Sequence, residues 1–240
     1  MLKLFRVAKK GAFVDLLDWA RGPLLYGALA VFILGVSWRG IAFFRLPATP
    51  SPVAPPRQEF GSIKAMSAAL MRTWPRRALP QSATLATFNP YVFHIGLALV
   101  FFGYAPHISF IRRLTGIGWP ALPDMVMYLS AAATIISLLL ALMFRLTDPV
   151  LKKISRADDW VTWAVTMLPL LTGMAVVGAS PSDYLLYKPA FAYRGPIAIH
   201  LLSLELLLVW FPFGKLMHAF LVLPTRMQLA TFLGRRGVPP

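Results

Sequence analysis

The stretch YRGPIAIHLLSLELLLVWFPFGKLMH, from Tyr193 to His218, decides the fold, because it predicts a membrane-spanning helix with a histidine near each end. His200 and His218 are eighteen residues apart, which is five whole turns at about 100° per residue. Both imidazoles would therefore leave the same face of an unbroken helix, separated by roughly 27 Å along its axis. Two ligands stacked on one face indicate two cofactors stacked across a bilayer.

The composition indicates an integral membrane protein. Hydrophobic residues make up 58% of the chain, and the mean hydropathy is +0.65. Several apolar runs reach the ~20 residues that cross a bilayer. The chain has no cysteine, which excludes thiolate-ligated iron–sulfur clusters and covalently attached c-type haem. The net charge of +15 lies mostly in short segments beside apolar runs, so it favours lipid headgroups and acidic partners over nucleic acid.

The apolar runs predict an all-α membrane protein with five transmembrane helices and an N-terminal amphipathic helix. The third run contains four small residues, 130–133, which permit close helix packing. Proline and glycine inside the later runs are tolerated where neighbouring helices cover the backbone. The predicted spans are Pro23–Phe44, Tyr91–Ile111, Leu122–Phe144, Trp160–Ala179 and Pro196–Leu223.

Two segments are predicted to lie outside these spans. Residues 1–21 form an interfacial amphipathic helix whose apolar face includes Leu16 and Ala20, and residues 22–240 form the transmembrane domain. A Pro-rich connection occupies 45–90, with a short surface helix at Ile63–Trp74. A loop of this length is usually functional, so we expect it to dock a partner.

Lysine and arginine predict the orientation of the chain in the membrane. Thirteen of them lie on the side that holds the 45–90 loop, the 145–159 loop and the C-terminal tail, against nine on the other side. Because positive charge accumulates on the cytoplasmic side, the C-terminus is predicted to be cytoplasmic. Five of the nine lie in the N-terminal segment and argue for the opposite orientation.

The chain has four histidines, and all lie in two of the predicted helices. Antiparallel packing would bring His94 and His218 to the tail side and His107 and His200 to the other side. Each pair is then able to bracket one haem iron as two axial imidazoles. Thirteen residues separate His94 from His107, which puts them on different helical faces unless Pro106 kinks the helix. The alternatives are histidines that only pack, or a single haem.

The sequence resembles a known family at these helices. FPFGKLMHAF, with a second histidine eighteen residues before its own, is similar to the last helix of the gamma subunit of respiratory nitrate reductase, and FHIGLALVFFG is similar to its second. The resemblance implies a dihaem cytochrome b of a bacterial or archaeal cytoplasmic membrane. Its broader group includes the membrane cytochromes of heterodisulfide-reductase-like and sulfite-reduction-associated complexes. The chain departs from the pattern at Tyr104, where those subunits carry a ligand ten residues after the first.

Further polar residues have both a functional and an ordinary interpretation. Arg39 and Lys215 would contact haem propionates or would extend to the membrane interface. Glu205 would belong to a proton path or would be a protonated carboxyl between helices. Four residues near the His107 and His200 end would form a quinone pocket or would only anchor helices at the interface: Tyr104, Arg112, Asp124 and Arg194.

Two functions from different classes follow from this sequence. The first, which the resemblance implies, is a subunit with two b-type haems that exchanges electrons between the quinone pool and an extrinsic iron–sulfur or heterodisulfide-reductase-like partner on the C-terminal side. It would act as the quinol-oxidising or quinone-reducing part of an oxidoreductase. The alternative is a haem-free membrane anchor or small transporter, whose histidines pack or relay protons. A b-type absorption band distinguishes the two.

Overall fold

The computed structural model of the chain describes residues 15–46, 62–71, 84–177 and 191–234, and the regular structure in these ranges is entirely helical. This confirms the all-α class. One 3-10 turn, Lys215–Met217, directly precedes the last helix. The α-helices of these ranges are α1 Leu16–Arg21, α2 Pro23–Arg45, α3 Ser62–Met71, α4 Thr84–Gly103, α5 Ala105–Thr115, α6 Asp124–Thr147, α7 Pro149–Ile154, α8 Ala157–Met174, α9 Phe191–Trp210 and α10 His218–Gly234.

Four helical stretches within the described ranges are long and apolar enough to cross a membrane, which gives the chain the character of a membrane protein. The predicted count of five is not confirmed. Neither α8 nor α9 is among the four, and α8 begins with the adjacent carboxylates Asp158 and Asp159. The four stretches are Leu16–Arg45, Thr84–Gly103, Asp124–Thr147 and Lys215–Leu233.

The short helix α1 leads directly into α2 and packs against α9. Asp15 caps its first turn by accepting hydrogen bonds from the backbone N–H groups of Leu17 and Asp18. Leu17 and Ala20 are buried in a cluster with Ile197 and other residues, whereas Leu16 is 52% exposed. Of the predicted apolar face, Ala20 therefore packs in the cluster with α9, whereas Leu16 lies on the exposed side of α1. The rest of the predicted amphipathic segment, residues 1–14, lies outside the described residues.

The predicted surface helix is present as α3, but it is not isolated. It packs on α10, where Ala65 and Ala68 form a buried cluster with Ala230. The predicted loop also ends earlier than expected, because α4 already begins at Thr84 and contains Pro90. Residues 47–61 and 72–83 of that loop lie outside the described residues.

Helices α4 and α6 pack closely, as the small residues of the third span predict. A Cβ atom added to Gly96 would come within 2.2 Å of the Thr134 hydroxyl and 3.2 Å of the Ser130 carbonyl oxygen. Nearby, the buried Asn89 side chain donates to the Ser137 carbonyl at 2.9 Å and accepts from its hydroxyl at 2.8 Å. These contacts fix the rotation of α4, which carries His94.

The packing order separates the histidine-bearing helices into two groups. Helix α9 packs mainly on α8, α2 and α1, whereas α4 packs mainly on α6 and α5. Helix α8 joins the groups because it also packs on α6. In the described part of the chain, α4 is therefore not a main packing neighbour of α9.

Candidate functional site

His94 and His218 face each other, as the sequence predicts. His94 lies in the middle of α4, and His218 is the first residue of α10. Their ring centroids are 5.9 Å apart and the rings are nearly perpendicular, at 86°. The Nδ1 atom of His94 lies 2.6 Å from the Pro90 carbonyl oxygen, and that of His218 lies 2.8 Å from the Lys215 carbonyl oxygen. Since a carbonyl only accepts, both Nδ1 atoms donate, and Nε2 is the ring nitrogen that each imidazole can offer to another partner.

The fifth predicted span is wrong as a single helix. Helix α9 ends at Trp210, and turns and a 3-10 helix follow before α10 begins at His218. Pro212 explains the break, because proline has no N–H to donate and its ring clashes with the preceding turn of a helix. The argument from five whole turns does not apply across this break, yet His200 and His218 each meet their predicted partner.

The break before His218 is packed firmly against other helices. Pro212 is fully buried, and a Cβ atom added to Gly35 of α2 would come within 2.6 Å of its side chain. Phe211 makes an edge-to-face contact with Phe32 at 5.2 Å. Trp210 donates its indole N–H to the Thr162 hydroxyl at 2.9 Å. These contacts hold the segment that presents His218.

A buried carboxylate also anchors this segment. Asp159, with a side chain only 4% exposed, forms an ion pair with Lys215, and its other partner is Arg145 at 3.3 Å. Burial raises the pKa of Asp159, but the hydrogen bond from Lys215 and the nearby guanidinium outweigh it, so the pKa of the carboxyl lies below its usual value. The carbonyl of Lys215 is the one that orients His218. The ion pair therefore ties α8 to the residue that aligns this imidazole.

His107 and His200 form the second predicted pair. Their ring centroids are 6.3 Å apart and the ring planes are nearly parallel, at 14°. The second predicted span, Tyr91–Ile111, is wrong as a continuous helix: α4 ends at Gly103, Tyr104 is extended, and α5 starts at Ala105 with a proline in its first turn. This break is stronger than the kink that Pro106 predicts, and it turns His107 toward the α4 terminus.

Side chains form hydrogen bonds with the last backbone carbonyl groups of α4, which have no N–H partner within the helix. His107 Nδ1 lies 3.1 Å from the Val100 carbonyl oxygen, and the Trp119 indole N–H donates to the Phe102 carbonyl at 2.6 Å. His107 thus caps the helix with Nδ1 and, like His94 and His218, can offer Nε2 to another partner. His200 differs, because its Nδ1 lies 3.1 Å from the Thr172 hydroxyl oxygen of α8.

The ring spacing of each pair matches that of two imidazoles bound to one iron. An iron about 2 Å from each Nε2, with each ring centroid about 1.1 Å further on, spaces two centroids about 6 Å apart. The observed spacings are 5.9 and 6.3 Å. Ligating histidines donate the other ring N–H to an acceptor, and all four imidazoles here have an acceptor at Nδ1. The described residues contain no cluster of three or more metal-ligating side chains. A haem site needs only two histidines, so it does not require such a cluster.

Of the four predicted quinone-site residues, Tyr104 and Asp124 lie on the His107 side of the structure, and Arg112 lines a cleft on α5, the helix that carries His107. The Tyr104 ring makes an edge contact with His107 at 5.3 Å, and Asp124 lies close enough to Tyr104 to influence its electrostatics. Arg112 lines a cleft of about 150 Å³ together with Trp119, Ser109 and neighbouring residues. Arg194 belongs to a different contact, because it binds Asp15 of α1 through ion-pair and hydrogen-bond distances of 2.5 and 2.6 Å.

The remaining predicted residues have distinct surroundings. Arg39 is exposed, makes no ion pair with another described residue, and lies one turn after Gly35, which touches Pro212. Lys215 is paired with Asp159. Glu205 is 6% exposed, and its Oε1 has no hydrogen-bond partner among the described residues. Their roles toward haem, propionate or protons stay predictions.

Sequence reasoning missed two residues that act on the histidines. Thr172 contacts His200 directly, and Asp159 holds the segment before His218. A threonine in a helix commonly bonds its own backbone, so no pattern distinguishes Thr172 from Thr166 one and a half turns earlier. Asp159 offered a weak signal, since a carboxylate at the start of an apolar helix usually has a cationic partner.

The fold and the site together define a class: helical membrane proteins that present two separate, facing pairs of histidines. Comparison with known sequences identifies a relative in Nitratidesulfovibrio vulgaris strain Hildenborough. It is 30% identical over 215 residues, which covers 87% of this chain and 89% of that protein. The chain belongs to the same family as this relative, whose name, Protein, states no activity. No family model matches the sequence.

Proposed function

We propose that this protein is a membrane electron-transfer subunit that holds two b-type haems and passes electrons between the quinone pool and an extrinsic redox subunit. The observation that carries the proposal is the spacing of the two imidazole pairs, at 5.9 and 6.3 Å. In this proposal α8 from Trp160 onward is the fourth crossing, and α9 with the start of α10 is the fifth, interrupted at 211–217. The C-terminus is cytoplasmic.

Each bound haem would supply a reversible one-electron carrier. The residues of the chain hold and orient these groups. His94 with His218, and His107 with His200, would provide two ligating nitrogens to each haem, while the acceptors at Nδ1 would fix the ring orientation and increase the donor strength of Nε2. Arg39 and Lys215, both at the His218 end, are suited to neutralise carboxylate substituents of the cofactor.

The cleft beside α5 is the proposed quinone site. Its volume of about 150 Å³ is one that accommodates a single six-membered ring. Arg112 and Trp119 line it, and Tyr104 and Asp124 lie near His107 on the adjoining segments. Hydrogen-bond donors would orient the carbonyl oxygens of the ring, and a carboxylate would exchange the protons.

The cleft has a direct test. Ala121→Leu fills it, so the KM for a quinol analogue should rise while both haem spectra stay unchanged. Ala132→Leu on the exposed face of α6 is the matched control. Equal quinol kinetics in the two variants would show that the cleft is not the quinone site.

The proposed partner is an iron–sulfur or heterodisulfide-reductase-like subunit on the C-terminal side, since this chain has no cysteine to hold a soluble redox centre. Helices α3 and α10 pack together and form one unit of that side. Because deleting the tail would also remove Ala230 from this packing, charge reversal is the cleaner test. Arg226→Glu should weaken co-purification with the partner, Arg113→Glu on the opposite side should not, and equal co-purification would contradict the assignment.

Absorption spectroscopy tests the central proposal. The purified full-length protein should show a reduced b-type α-band, with two haems per chain by pyridine haemochrome assay. Addition of a quinol should reduce them. A protein without the band would overturn the proposal and leave the haem-free membrane anchor or transporter as the explanation of the fold.

A further inference from the structure

Backbone carbonyls contact Nδ1 of three of the four imidazoles, whereas Nδ1 of His200 lies 3.1 Å from a side-chain hydroxyl, that of Thr172, and the Pro169 carbonyl lies beside the same ring. Carbonyl oxygens cannot donate, so they admit one tautomer. A hydroxyl is able to donate or accept, and the protonation of His200 therefore depends on where the Thr172 proton points.

The surrounding contacts assign that proton. The Thr172 hydroxyl donates to the Leu168 carbonyl at 2.8 Å, one helical turn earlier. The Ser203 hydroxyl lies 2.7 Å from the His200 carbonyl oxygen and 2.9 Å from Thr172 Oγ1, and its proton is shared between these two acceptors. With its single proton engaged, Thr172 Oγ1 has only lone pairs to offer to His200 Nδ1 at 3.1 Å. The imidazole must then donate from Nδ1, which leaves Nε2 free.

A glycine beside Thr172 makes room for the ring. A Cβ atom added to Gly173 would lie 3.2 Å from His200 Cε1, closer than ordinary van der Waals contact. Thr172 and Gly173 therefore act on the same ring: the hydroxyl orients it and the missing side chain lets it approach α8.

We propose that Thr172 is a positioning residue for His200: its hydroxyl oxygen accepts the Nδ1–H, and so holds the imidazole in the tautomer that can ligate an iron through Nε2. This inference rests on the proposed function. Accepting the Nδ1–H adds electron density to the ring, which stabilises the ferric state of a bound haem. Loss of the acceptor removes that stabilisation from one haem only.

The test compares Thr172→Val, Thr172→Ser and Thr166→Val in the purified full-length protein. Valine keeps the shape of threonine and removes the hydroxyl, and serine restores it. Thr166 is the matched control, because its hydroxyl donates to the Thr162 carbonyl at 2.7 Å in the same helix and makes no hydrogen bond with a histidine among the described residues. Haem content, redox-titrated spectra and resistance to haem loss are measured, and the haem of the His107–His200 pair is identified by its absence in His200→Ala.

Thr172→Val should shift the midpoint potential of that haem to more positive values and weaken its retention roughly 10–100-fold. The haem of the other pair should stay unchanged, Thr172→Ser should restore the wild-type values, and Thr166→Val should resemble wild type. If Thr172→Val does not accumulate, Thr172→Ala removes the same hydroxyl without the added methyl group.

Two failures are distinguishable. A wild-type protein without b-type haem would overturn the proposed function itself. A wild-type protein with two haems, whose Thr172→Val variant titrates like Thr166→Val, would overturn only the role of Thr172, as would a serine variant that restores nothing.

Discussion

The His94–His218 pair and the His107–His200 pair each combine one imidazole from the middle of a helix with one that follows a helix break. Their surroundings differ. The first pair is exposed, and a charged network centred on Asp159 anchors its break. The second is half-buried, and hydroxyl groups of α8 and α9 orient one of its rings. In each pair, one histidine is positioned by a regular helix, and the other is oriented by the helix break that precedes it.

The strongest test of this comparison is removal of one ligand at a time. His218→Ala should remove one haem and leave the other, and His200→Ala should remove the other haem, because the pairs share no residue. The His200 variant should also lose reduction by quinol, since the proposed quinone cleft lies at that end. Haem quantification and redox-titrated spectra measure both effects. Loss of the same spectral component in both variants would show that the pairing is wrong.

A smaller effect is expected from crowding the break before His218. Gly35→Ala places a methyl group against the rigid side chain of Pro212, and overpacking of this kind costs about 1–3 kcal/mol. Thermal unfolding should occur at lower temperature, with haem lost first from the His94–His218 pair. Gly27→Ala is the control in the same helix, because its Cβ would meet no atom within 4 Å. Equal behaviour of the two variants would mean that Pro212 does not brace the break.

The charged anchor of the same break should contribute less and should depend on pH. Asp159→Asn removes a buried carboxylate from Lys215 and Arg145, at an expected cost of about 1–2 kcal/mol, since both cations are partly exposed. Because the pKa of Asp159 is lowered in the folded protein, its stabilisation is complete above the ordinary value of 3.8 and is lost as the pH falls through the lowered pKa. The difference between wild type and variant in unfolding temperature should therefore be constant near neutral pH and shrink in acid. A difference that grows in acid would contradict the assignment.

The sequence predicted which histidines meet, but not the backbone that brings them together. The depth of each histidine follows from counting residues along antiparallel helices, and a local break in a helix does not change which histidines lie at the same depth. The breaks depend on whether neighbouring helices can cover the freed backbone groups, which a single run of residues does not reveal. The sequence pattern therefore predicts a continuous span through Pro212. In the structure the helix breaks there, and Gly35 and Thr162 of other helices pack against the broken segment. The Thr172 contact depends on the rotation of α8 against α9, which periodicity alone does not define.

The finest distinction between the two pairs concerns the orientation of their rings. When axial imidazole planes are perpendicular, their π orbitals act on different iron d orbitals, which stay nearly equal in energy and give a strongly anisotropic low-spin ferric spectrum. Parallel planes act on the same orbital, split the two levels and give an ordinary rhombic spectrum. The planes are 86° apart for His94 and His218, and 14° apart for His107 and His200.

Electron paramagnetic resonance of the oxidised protein should therefore contain one signal of each kind. His218→Ala should remove the strongly anisotropic signal, and His200→Ala should remove the rhombic one. Two signals of the same shape would mean that the rings turn on binding haem, and that the difference in ring orientation does not persist in the loaded protein. Removal of the rhombic signal by His218→Ala would show that the parallel rings belong to the His94–His218 pair when haem is bound. The assignment of ring orientation to the two pairs would then be reversed, while the pairing of the histidines would stay the same.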